Sequence, residues 1–183
     1  MMLRTLMALA KVDGRVCALL EPIALYMTKD LYPGDGAWLT TYPPPDQALT
    51  LGEPRVYDDA ASDLLILTFG NGVPMSLRAA RTIQAEQGWS VRVVDLRWLL
   101  PLNEAAIARH AAECARILVV DEGRRSAGVG EGIITAIVEA GLGATPLRRV
   151  VGADTYTPLA GAALLVIPGE DDIVTAARAL ASG

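Results

Sequence analysis

Residues 116–132 read RILVVDEGRRSAGVGEG, and this stretch decides the fold class. The run from Ile117 to Val120 is aliphatic and rich in β-branched residues, which is typical of a buried strand. Two carboxylates, Asp121 and Glu122, follow the run, and a glycine-rich turn then leads into the helical pattern IITAIVEA. Strand, turn and helix in this order form the unit of doubly wound α/β sheets. Functional sites in such sheets lie at the carboxyl ends of the strands, so this turn is the first candidate.

Further strands and helices alternate on both sides of this unit. Aliphatic runs predict strands over 64–69, 91–96 and 147–151. Apolar spacing predicts one helix that begins at Pro74 and ends at Gly88, a second that begins at Pro101, a third over 129–140, and a terminal helix from Glu170. The run ALLVIP at 163–168 fits either a short strand or an apolar loop. Repeated alternation of strands and helices predicts a mostly parallel sheet with helices on both faces.

Residues 1–62 do not show this alternation of strands and helices. Residues 2–11 have helical spacing, and residues 15–20 (RVCALL) read as a short buried strand. One helix and one strand cannot close a sheet alone, so we expect residues 1–26 to dock onto something larger. Residues 27–62 are rich in proline and glycine and read as a linker, whose recurring aromatic residues are expected to pin it to a domain surface. Residues 63–183 are expected to form the α/β domain.

Composition narrows the class of protein. Of the 183 residues, 52% are hydrophobic and 20% are charged, and the mean hydropathy is +0.34, which favours a well-buried core over disorder. A net charge of −5 and a pI near 4.9 disfavour nucleic acid and anionic membranes as partners but are compatible with a basic protein. Cys17 and Cys114 belong to no CxxC motif and are expected to be reduced thiols in the core of a cytoplasmic protein. No apolar run reaches the ~20 residues of a membrane span, and no signal peptide is expected.

The glycine turn is a near miss to a dinucleotide fingerprint. Gly128, Gly130 and Gly132 lie at the start of a helix, where backbone N–H groups are able to hold an anion, but the spacing is not GxGxxG and the unit is not the first of the sheet. Close packing of the helix on the sheet is the simpler interpretation. Arg124 and Arg125 either clamp an anion or, more commonly for such a pair, form salt bridges across a domain or subunit interface, where Asp121 and Glu122 are the candidate partners.

Other candidate groups have mainly structural interpretations. Asp95 and Arg97 at the end of a strand predict an ion pair or a cap. His110 lies on a polar helix face and is expected to be solvated, not a catalytic base. The serines occur in no GxSxG elbow and no Walker sequence is present. Glu170, Asp171 and Asp172 suit a helix start, and as a patch for a basic partner they are a weaker hypothesis. We therefore expect no catalytic, cofactor-binding or metal-binding residue in this chain.

The order of these stretches resembles a known family. The chain is similar to the C-terminal part of the beta subunit of thiamine-diphosphate-dependent 2-oxo acid dehydrogenases of the pyruvate and branched-chain types, and more distantly to transketolase. The strongest match is the combination of VDLR…PL with VDE…R…G.G. The stretches that carry the resemblance are ALLEPIALY (18–26), DLLILTFGNGVPMSLRAA (63–80), VRVVDLRWLLPLNEAAI (91–107), RILVVDEGRRSAGVGEGI (116–133), RRVVGADTYTPLA (148–160) and EDDIVTAARAL (170–180).

This resemblance implies a fold, a reaction and partners. The implied fold is a three-layer α/β/α sandwich with a five-stranded, mostly parallel sheet, whose antiparallel strand lies near residues 55–57. The implied reaction is oxidative decarboxylation of a 2-oxo acid, with thiamine diphosphate and Mg²⁺ held by another domain. Residues 1–26 would be the tail of that pyrimidine-binding domain, and the domain shared with transketolase would contribute to a homo-oligomer or an alpha/beta hetero-oligomer and to docking of the lipoyl acyltransferase component. The alternatives are a stand-alone nucleotide- or anion-binding domain and a relative of transketolase or deoxyxylulose phosphate synthase.

Overall fold

The computed structural model describes residues 1–181, and five strands and five α-helices alternate over most of them. Short 3₁₀ turns at Ile23–Leu25 and Ala160–Leu165 and a wide helical turn at Val138–Leu142 complete the regular structure. The elements are α1 (Met2–Lys11), β1 (Arg55–Tyr57), β2 (Leu64–Thr68), α2 (Gly72–Gln87), β3 (Val91–Asp95), α3 (Glu104–Ala112), β4 (Ile117–Arg124), α4 (Val129–Ile137), β5 (Leu147–Gly152) and α5 (Glu170–Ala181).

The five strands form one sheet in the order β1-β3-β2-β4-β5. β1 is antiparallel to β3, with Val56 opposite Val94, and the other three pairs are parallel. Alternate side chains of each central strand enter two separate cores: Leu64 and Ile66 pack with α2 and α5, whereas Leu65 and Leu67 pack with α3 and α4. The predicted three-layer α/β/α sandwich is confirmed, and so is the antiparallel strand at residues 55–57.

The strand order creates a crevice between β2 and β4. The chain leaves β2 for α2 on one face of the sheet and leaves β4 for α4 on the opposite face. Connections that diverge from adjacent parallel strands open the sheet at their carboxyl ends, and this is where doubly wound proteins bind ligands. Thr68 ends β2, and Asp121, which the sequence singled out, lies near the end of β4, so both residues flank this position.

Several predicted boundaries are wrong because caps and turns, not prolines, set the helix starts. α2 begins two residues before Pro74, at Gly72. α3 begins at Glu104 and not at Pro101, because the side chain of Asn103 accepts a hydrogen bond from the backbone N–H of Ala106 at 2.9 Å. The run at 163–168 is not a strand, since a 3₁₀ turn covers its first half.

The N-terminal region differs from prediction in one element. α1 is confirmed, but residues 15–20 form no strand. A strand requires a hydrogen-bonding neighbour, and within residues 1–181 no other strand runs beside this stretch. Cys17, expected in the core, lies half-buried in this irregular stretch, whereas Cys114 is buried as expected, and both thiols are free.

The linker is held to the rest of the chain at particular points. The Arg4 side chain donates to the Pro43 carbonyl at 3.1 Å, and the Thr5 hydroxyl accepts from the Leu49 N–H at 2.8 Å. The Tyr32 hydroxyl donates to the Leu77 carbonyl on α2 at 3.2 Å. An aromatic residue of the linker therefore pins it to the domain surface, as predicted. The division of the chain at residues 26 and 62 stays a prediction, and β1 lies within the predicted linker although it belongs to the sheet.

Candidate functional site

Asp121 is the central group of the crevice. Only 3% of its surface is exposed, and its two oxygens accept hydrogen bonds from the backbone N–H groups of Gly123, at 2.7 Å, and Gly130, at 2.8 Å. Gly130 is the second residue of α4, so the carboxylate satisfies one of the N–H groups that a helix leaves unpaired at its start. A negative charge in this position is also favoured by the helix dipole.

The glycines of the turn make room for this carboxylate. A Cβ atom at Gly128 would lie 2.8 Å from both an Asp121 oxygen and the Arg124 carbonyl oxygen. At Gly123 and Gly130 the nearest Asp121 oxygen would lie 2.9 and 3.3 Å away. The simpler interpretation of the turn, close packing of the helix on the sheet, is therefore confirmed, and the group packed there is a carboxylate.

Neighbouring N–H groups of the turn are also occupied. Ala127 donates to the Glu131 side chain at 3.0 Å, and Ser126 donates through its N–H and its hydroxyl to Asp154 at 3.3 and 2.5 Å. The Ser126 hydroxyl is the main reason that the pKa of Asp154 lies below its ordinary value, with Arg124 and Arg125 adding smaller electrostatic contributions. An incoming phosphate would have to displace these carboxylates, which weighs against a nucleotide or anion site at the turn.

The crevice itself is bridged by protein groups. The Asn71 side chain at the start of α2 donates to the Glu122 carboxylate at 2.7 Å. Within the described chain, neither Asp121 nor Glu122 pairs with Arg124 or Arg125, so salt bridges of the arginine pair across a domain or subunit interface stay a prediction. Both arginine side chains are exposed. They are therefore available to a group outside this chain.

An open depression of about 350 Å³ adjoins the crevice. Glu122 and Arg124 lie on its β4 side, and Tyr156 and Ile167 lie on the side of the loop that follows β5. Besides one carboxylate and one guanidinium, the lining is mostly backbone, threonine and apolar side chains. No nucleophile and base converge there, so the depression offers contact surface and no evident chemistry.

Asp95 and Arg97 form the structural pair that was predicted. The Asp95 carboxylate accepts from the Arg97 N–H at 3.1 Å and lies 3.9 Å from its guanidinium. Burial raises the pKa of Asp95, and the Arg97 N–H and the charges of Arg97 and Arg55 oppose this effect.

The acidic start of α5 is largely engaged inside the domain. Glu170 forms a 2.6 Å salt bridge with Arg78 of α2, and Asp172 accepts from the Gly169 N–H at 2.8 Å. Asp171 is exposed and makes no hydrogen bond or salt bridge within the described chain. A role for the three acids in docking stays a prediction, with Asp171 as the most available charge.

His110 contradicts the sequence expectation. It was expected in solvent but is 2% exposed, because α3 turns it toward β3. Its Nδ1 lies 3.1 Å from Arg92 and its Nε2 lies 3.2 Å from Arg109. Burial, followed by the charges of Arg109 and Arg92, lowers the pKa of His110. The only sequence signal for this cluster was a charged residue, Arg92, in the middle of a buried strand.

If this chain held the expected cofactor, the crevice would be the place, because a doubly wound sheet binds its ligands there. Nowhere in residues 1–181 do three His, Cys, Asp or Glu side chains gather as metal ligands. Mg²⁺ with a diphosphate requires oxygen ligands and phosphate-binding N–H groups, and the N–H groups at the crevice are already bonded to carboxylates. The N–H groups of the turn are therefore not free to hold the diphosphate and its Mg²⁺ at the crevice. As a separate finding, none of the described helices is long and apolar enough to cross a bilayer.

Comparison with known proteins identifies relatives of most of the chain. The family described as "Transketolase, C-terminal domain" matches residues 55–171. The pyruvate dehydrogenase E1 component subunit beta of Staphylococcus aureus (strain Mu50 / ATCC 700699) is 30% identical over 138 residues, which are 74% of this chain and 42% of that protein. The 3-methyl-2-oxobutanoate dehydrogenase subunit beta of Mycobacterium tuberculosis (strain CDC 1551 / Oshkosh) is 33% identical over 156 residues, 84% of this chain and 43% of that protein. The chain thus spans less than half the length of these relatives.

A solved structure shares the fold. It is described as "Split gene transketolase, inactive beta4 tetramer", and it superposes with a TM-score of 0.63 at 22% sequence identity. The superposition covers 79% of this chain and 46% of that chain. At this level of identity the likeness concerns the fold alone.

Proposed function

Because the chain belongs to the transketolase C-terminal domain family, we propose that it is the C-terminal portion of the decarboxylating component of a thiamine-diphosphate-dependent 2-oxo acid dehydrogenase. The observation that carries the proposal is the similarity to two such beta subunits across 74% and 84% of the chain. The proposed enzyme would release CO₂ from a 2-oxo acid and transfer the acyl group to a lipoyl group, and thiamine diphosphate held by another domain would supply the chemistry. This chain supplies structure and contact surface to that assembly.

The residues of this chain support a structural role over a catalytic one. The crevice where a doubly wound sheet normally binds its ligand is bridged by Asn71 and Glu122, and the start of α4 is occupied by Asp121. Thiamine diphosphate and Mg²⁺ are therefore proposed to bind to another domain or subunit, which supplies the chemistry of decarboxylation. We propose that the described side chains carry out no step of that reaction.

The N-terminal segment is the proposed contact with that missing domain. Residues 12–27 lie outside the matched family domain and contain large apolar side chains in solvent, including Val16, Leu20, Ile23 and Met27. Exposed apolar groups concentrated in one segment indicate a surface that another body covers. The stretch 15–20 lacks a strand partner here. We propose that it adds to the edge of a sheet in the thiamine-binding domain, where its N–H and C=O groups find partners.

A second contact concerns the lipoyl acyltransferase component. Its docking at the acidic start of α5 is a proposal that the exposed Asp171 supports and the internal contacts of Glu170 and Asp172 weaken. Charge attraction to a basic docking domain would make such binding strongly dependent on ionic strength. An Asp171→Asn variant that bound the acyltransferase component with unchanged salt dependence would contradict this contact.

The proposal is tested by turnover of 2-oxo acids with an artificial electron acceptor. The chain alone should give no turnover of pyruvate or branched-chain 2-oxo acids, and the chain together with its thiamine-binding domain should. Val16→Asp with Leu20→Asp should abolish that turnover by preventing assembly, whereas Leu100→Asp, at another exposed apolar residue, should leave it unchanged. No turnover by the complete protein with any 2-oxo acid would refute the proposal.

The alternative functions have distinct outcomes in two further measurements. Calorimetric titration of the chain with nucleotides should give no heat at millimolar ligand, because carboxylates occupy the N–H groups of the turn. Activity of the complete protein on sugar phosphates, in place of 2-oxo acids, would assign it instead to the transketolase or deoxyxylulose phosphate synthase branch.

A further inference from the structure

A cleft of about 290 Å³ lies at the β1 edge of the sheet. Tyr57 and Val93 line it from neighbouring strands, and Leu77 and Arg81 line it from α2. The predicted linker contributes Tyr32 to the same lining. The cleft shares no residue with the depression beside the crevice, so it is a separate feature of the molecule. We name it the tyrosine cleft.

Two tyrosine rings and apolar side chains provide the inner surface of the tyrosine cleft. Tyr57 ends β1 and lies opposite Val93 of β3, so the sheet fixes its position. Tyr32 is fixed to α2, because its hydroxyl donates to the Leu77 carbonyl at 3.2 Å. Both rings are half-buried, and Val93 is fully buried. Aromatic rings associate favourably with other rings in offset or edge-to-face arrangements, so this lining favours an aromatic group.

The turn that carries Tyr32 is ordered by two aspartates. The Asp35 carboxylate accepts from the backbone N–H groups of Leu31, at 3.0 Å, and Tyr32, at 2.9 Å. The Asp30 carboxylate accepts from the N–H of Gly36 at 2.7 Å. A wall that is already ordered loses little conformational entropy when a ligand binds, so the linker side of the tyrosine cleft is prepared for an occupant.

Two opposite charges that the chain does not neutralise line the tyrosine cleft. The Arg81 guanidinium carbon lies 4.8 Å from the centre of the Tyr32 ring, and Asp58 follows Tyr57 directly. Both charged side chains are exposed. Within residues 1–181, neither the guanidinium of Arg81 nor the carboxylate of Asp58 takes part in a hydrogen bond or a salt bridge. A ligand that carries both an anionic and a cationic group would satisfy the two charges together.

We propose that the tyrosine cleft binds a free α-amino acid with an aromatic side chain. The ring of the amino acid packs against Tyr32 and Tyr57, its carboxylate pairs with Arg81, and its ammonium group pairs with Asp58. An aliphatic amino acid gains no contact between rings, and an aromatic acid without an amino group leaves Asp58 unpaired beside a second carboxylate. This site does not depend on the proposed reaction, because binding is measured on the chain alone and without turnover.

Titration of the ¹⁵N-labelled full chain with L-phenylalanine, followed by two-dimensional NMR, tests the proposal. The backbone signals of Asp58 and Arg81 should shift in a saturable manner, with a dissociation constant of the order of a millimolar or lower. 3-Phenylpropanoate lacks the ammonium group and phenethylamine lacks the carboxylate, so each should bind about tenfold more weakly or worse. L-Leucine should bind several-fold more weakly. No saturable shift with millimolar phenylalanine would overturn the proposal, as would equal binding of 3-phenylpropanoate or leucine.

Variants of the lining assign the contacts. Arg81→Met and Asp58→Asn should each raise the dissociation constant of phenylalanine about tenfold. Asparagine suits the left-handed φ of 53° at position 58, so the second variant should fold normally, which its NMR spectrum verifies. Tyr32→Leu should weaken binding several-fold. Tyr42→Leu is the matched control: Tyr42 also lies in the linker with an arginine, Arg4, over its ring, but it does not line the tyrosine cleft. Unchanged binding by Tyr32→Leu, or equal weakening by Tyr42→Leu, would contradict the site.

Discussion

The carboxylate of Asp121 lies 2.8 Å from the backbone nitrogen of Gly130 and ties the end of β4 to the start of α4. The same carboxylate accepts from Gly123, so a single buried side chain fixes the path of the turn between strand and helix. Hydrogen bonds to an ionised acceptor are stronger than those between neutral groups, and they satisfy N–H groups that water does not reach. The glycine-rich turn of this chain is therefore built around a buried carboxylate.

Substitution Asp121→Asn should destabilise the domain. An amide presents one oxygen and one NH₂ group, so one of the two N–H donors would face another donor and stay unsatisfied. The expected loss in the free energy of unfolding is about 1–3 kcal/mol, measured by urea denaturation of the full chain. Asp154→Asn, at an exposed carboxylate that follows β5 and accepts hydrogen bonds from Ser126 of the turn, is the control and should cost less. Equal losses of unfolding free energy for the two variants would show that the burial of Asp121 does not increase its contribution to stability.

Two glycines of the turn should respond oppositely to alanine. Gly128→Ala places a methyl group 2.8 Å from the Arg124 carbonyl and from an Asp121 oxygen, so the backbone has to shift, at a cost of about 1–3 kcal/mol in unfolding free energy. Gly132→Ala places it in ordinary contact with Leu102, at 3.7 Å, inside an exposed stretch of helix. There alanine should stabilise by about 0.5–1 kcal/mol.

These two variants differ by four positions and by the same chemical change, so each is the control of the other. Thermal unfolding of the full chain should move to lower temperature for Gly128→Ala and to higher temperature for Gly132→Ala. Stabilisation by both substitutions would mean that the turn tolerates a side chain and that the approach of Asp121 does not depend on glycine.

His110 should make the stability of the domain sensitive to weak acid. Its pKa is lowered in the folded chain from the ordinary 6.5, so below pH 6.5 the unfolded chain binds a proton that the folded chain does not. Stability should therefore fall as the pH drops below 6.5 and stop falling below the folded-state pKa. The upper limit of the slope that one such group contributes is about 1.4 kcal/mol per pH unit. Urea denaturation at a series of pH values measures it.

The difference in slope between the wild type and His110→Gln isolates the histidine. The groups that face it are Arg92, Arg109, Asp59 and Glu113. The lowered pKa of Glu113, due first to its hydrogen bond from Arg92, adds a further loss below its ordinary value of 4.5. The wild type and His110→Gln share this loss of stability in acid. They also share the contribution of Asp95, whose raised pKa stabilises the folded chain as the pH falls. Parallel pH profiles for the two proteins would contradict the assignment to His110.

The sheet was predictable from sequence because strands buried on both faces appear as continuous apolar runs. β2 and the first half of β4 are fully buried, and such strands have to be continuous apolar runs. Asp121 was located as the end of a strand, but its role depends on Gly130, nine residues later, and hydrogen bonds across a turn leave no periodic signal. The glycines predicted close packing of another group against the turn, but they did not identify that group as the Asp121 carboxylate.

Two other errors have their cause in tertiary contacts. His110 shares its helix with polar neighbours, so the pattern predicted solvent, but Arg92 of β3 supplies a buried polar partner that only the packing of α3 creates. Residues 15–20 have the composition of a strand, and composition sets only the tendency of a segment to form one. A strand also needs a neighbour, and the described residues provide none.

The missing neighbour makes the N-terminal segment a target for proteolysis. Exposed trypsin sites lie at Lys11, the last residue of α1, and at Arg15 and Lys29 in the irregular stretch that follows. Limited trypsin digestion of the full chain should therefore cut there first and leave the α/β domain intact. When the thiamine-binding domain is present, pairing of residues 15–20 should slow cleavage at Arg15 at least tenfold. Arg109, on the ordered helix α3, is the internal control and should resist cleavage in both samples. Cleavage at Arg15 with the same rate in both samples, read by mass spectrometry, would show that the segment stays unpaired and would remove the proposed contact.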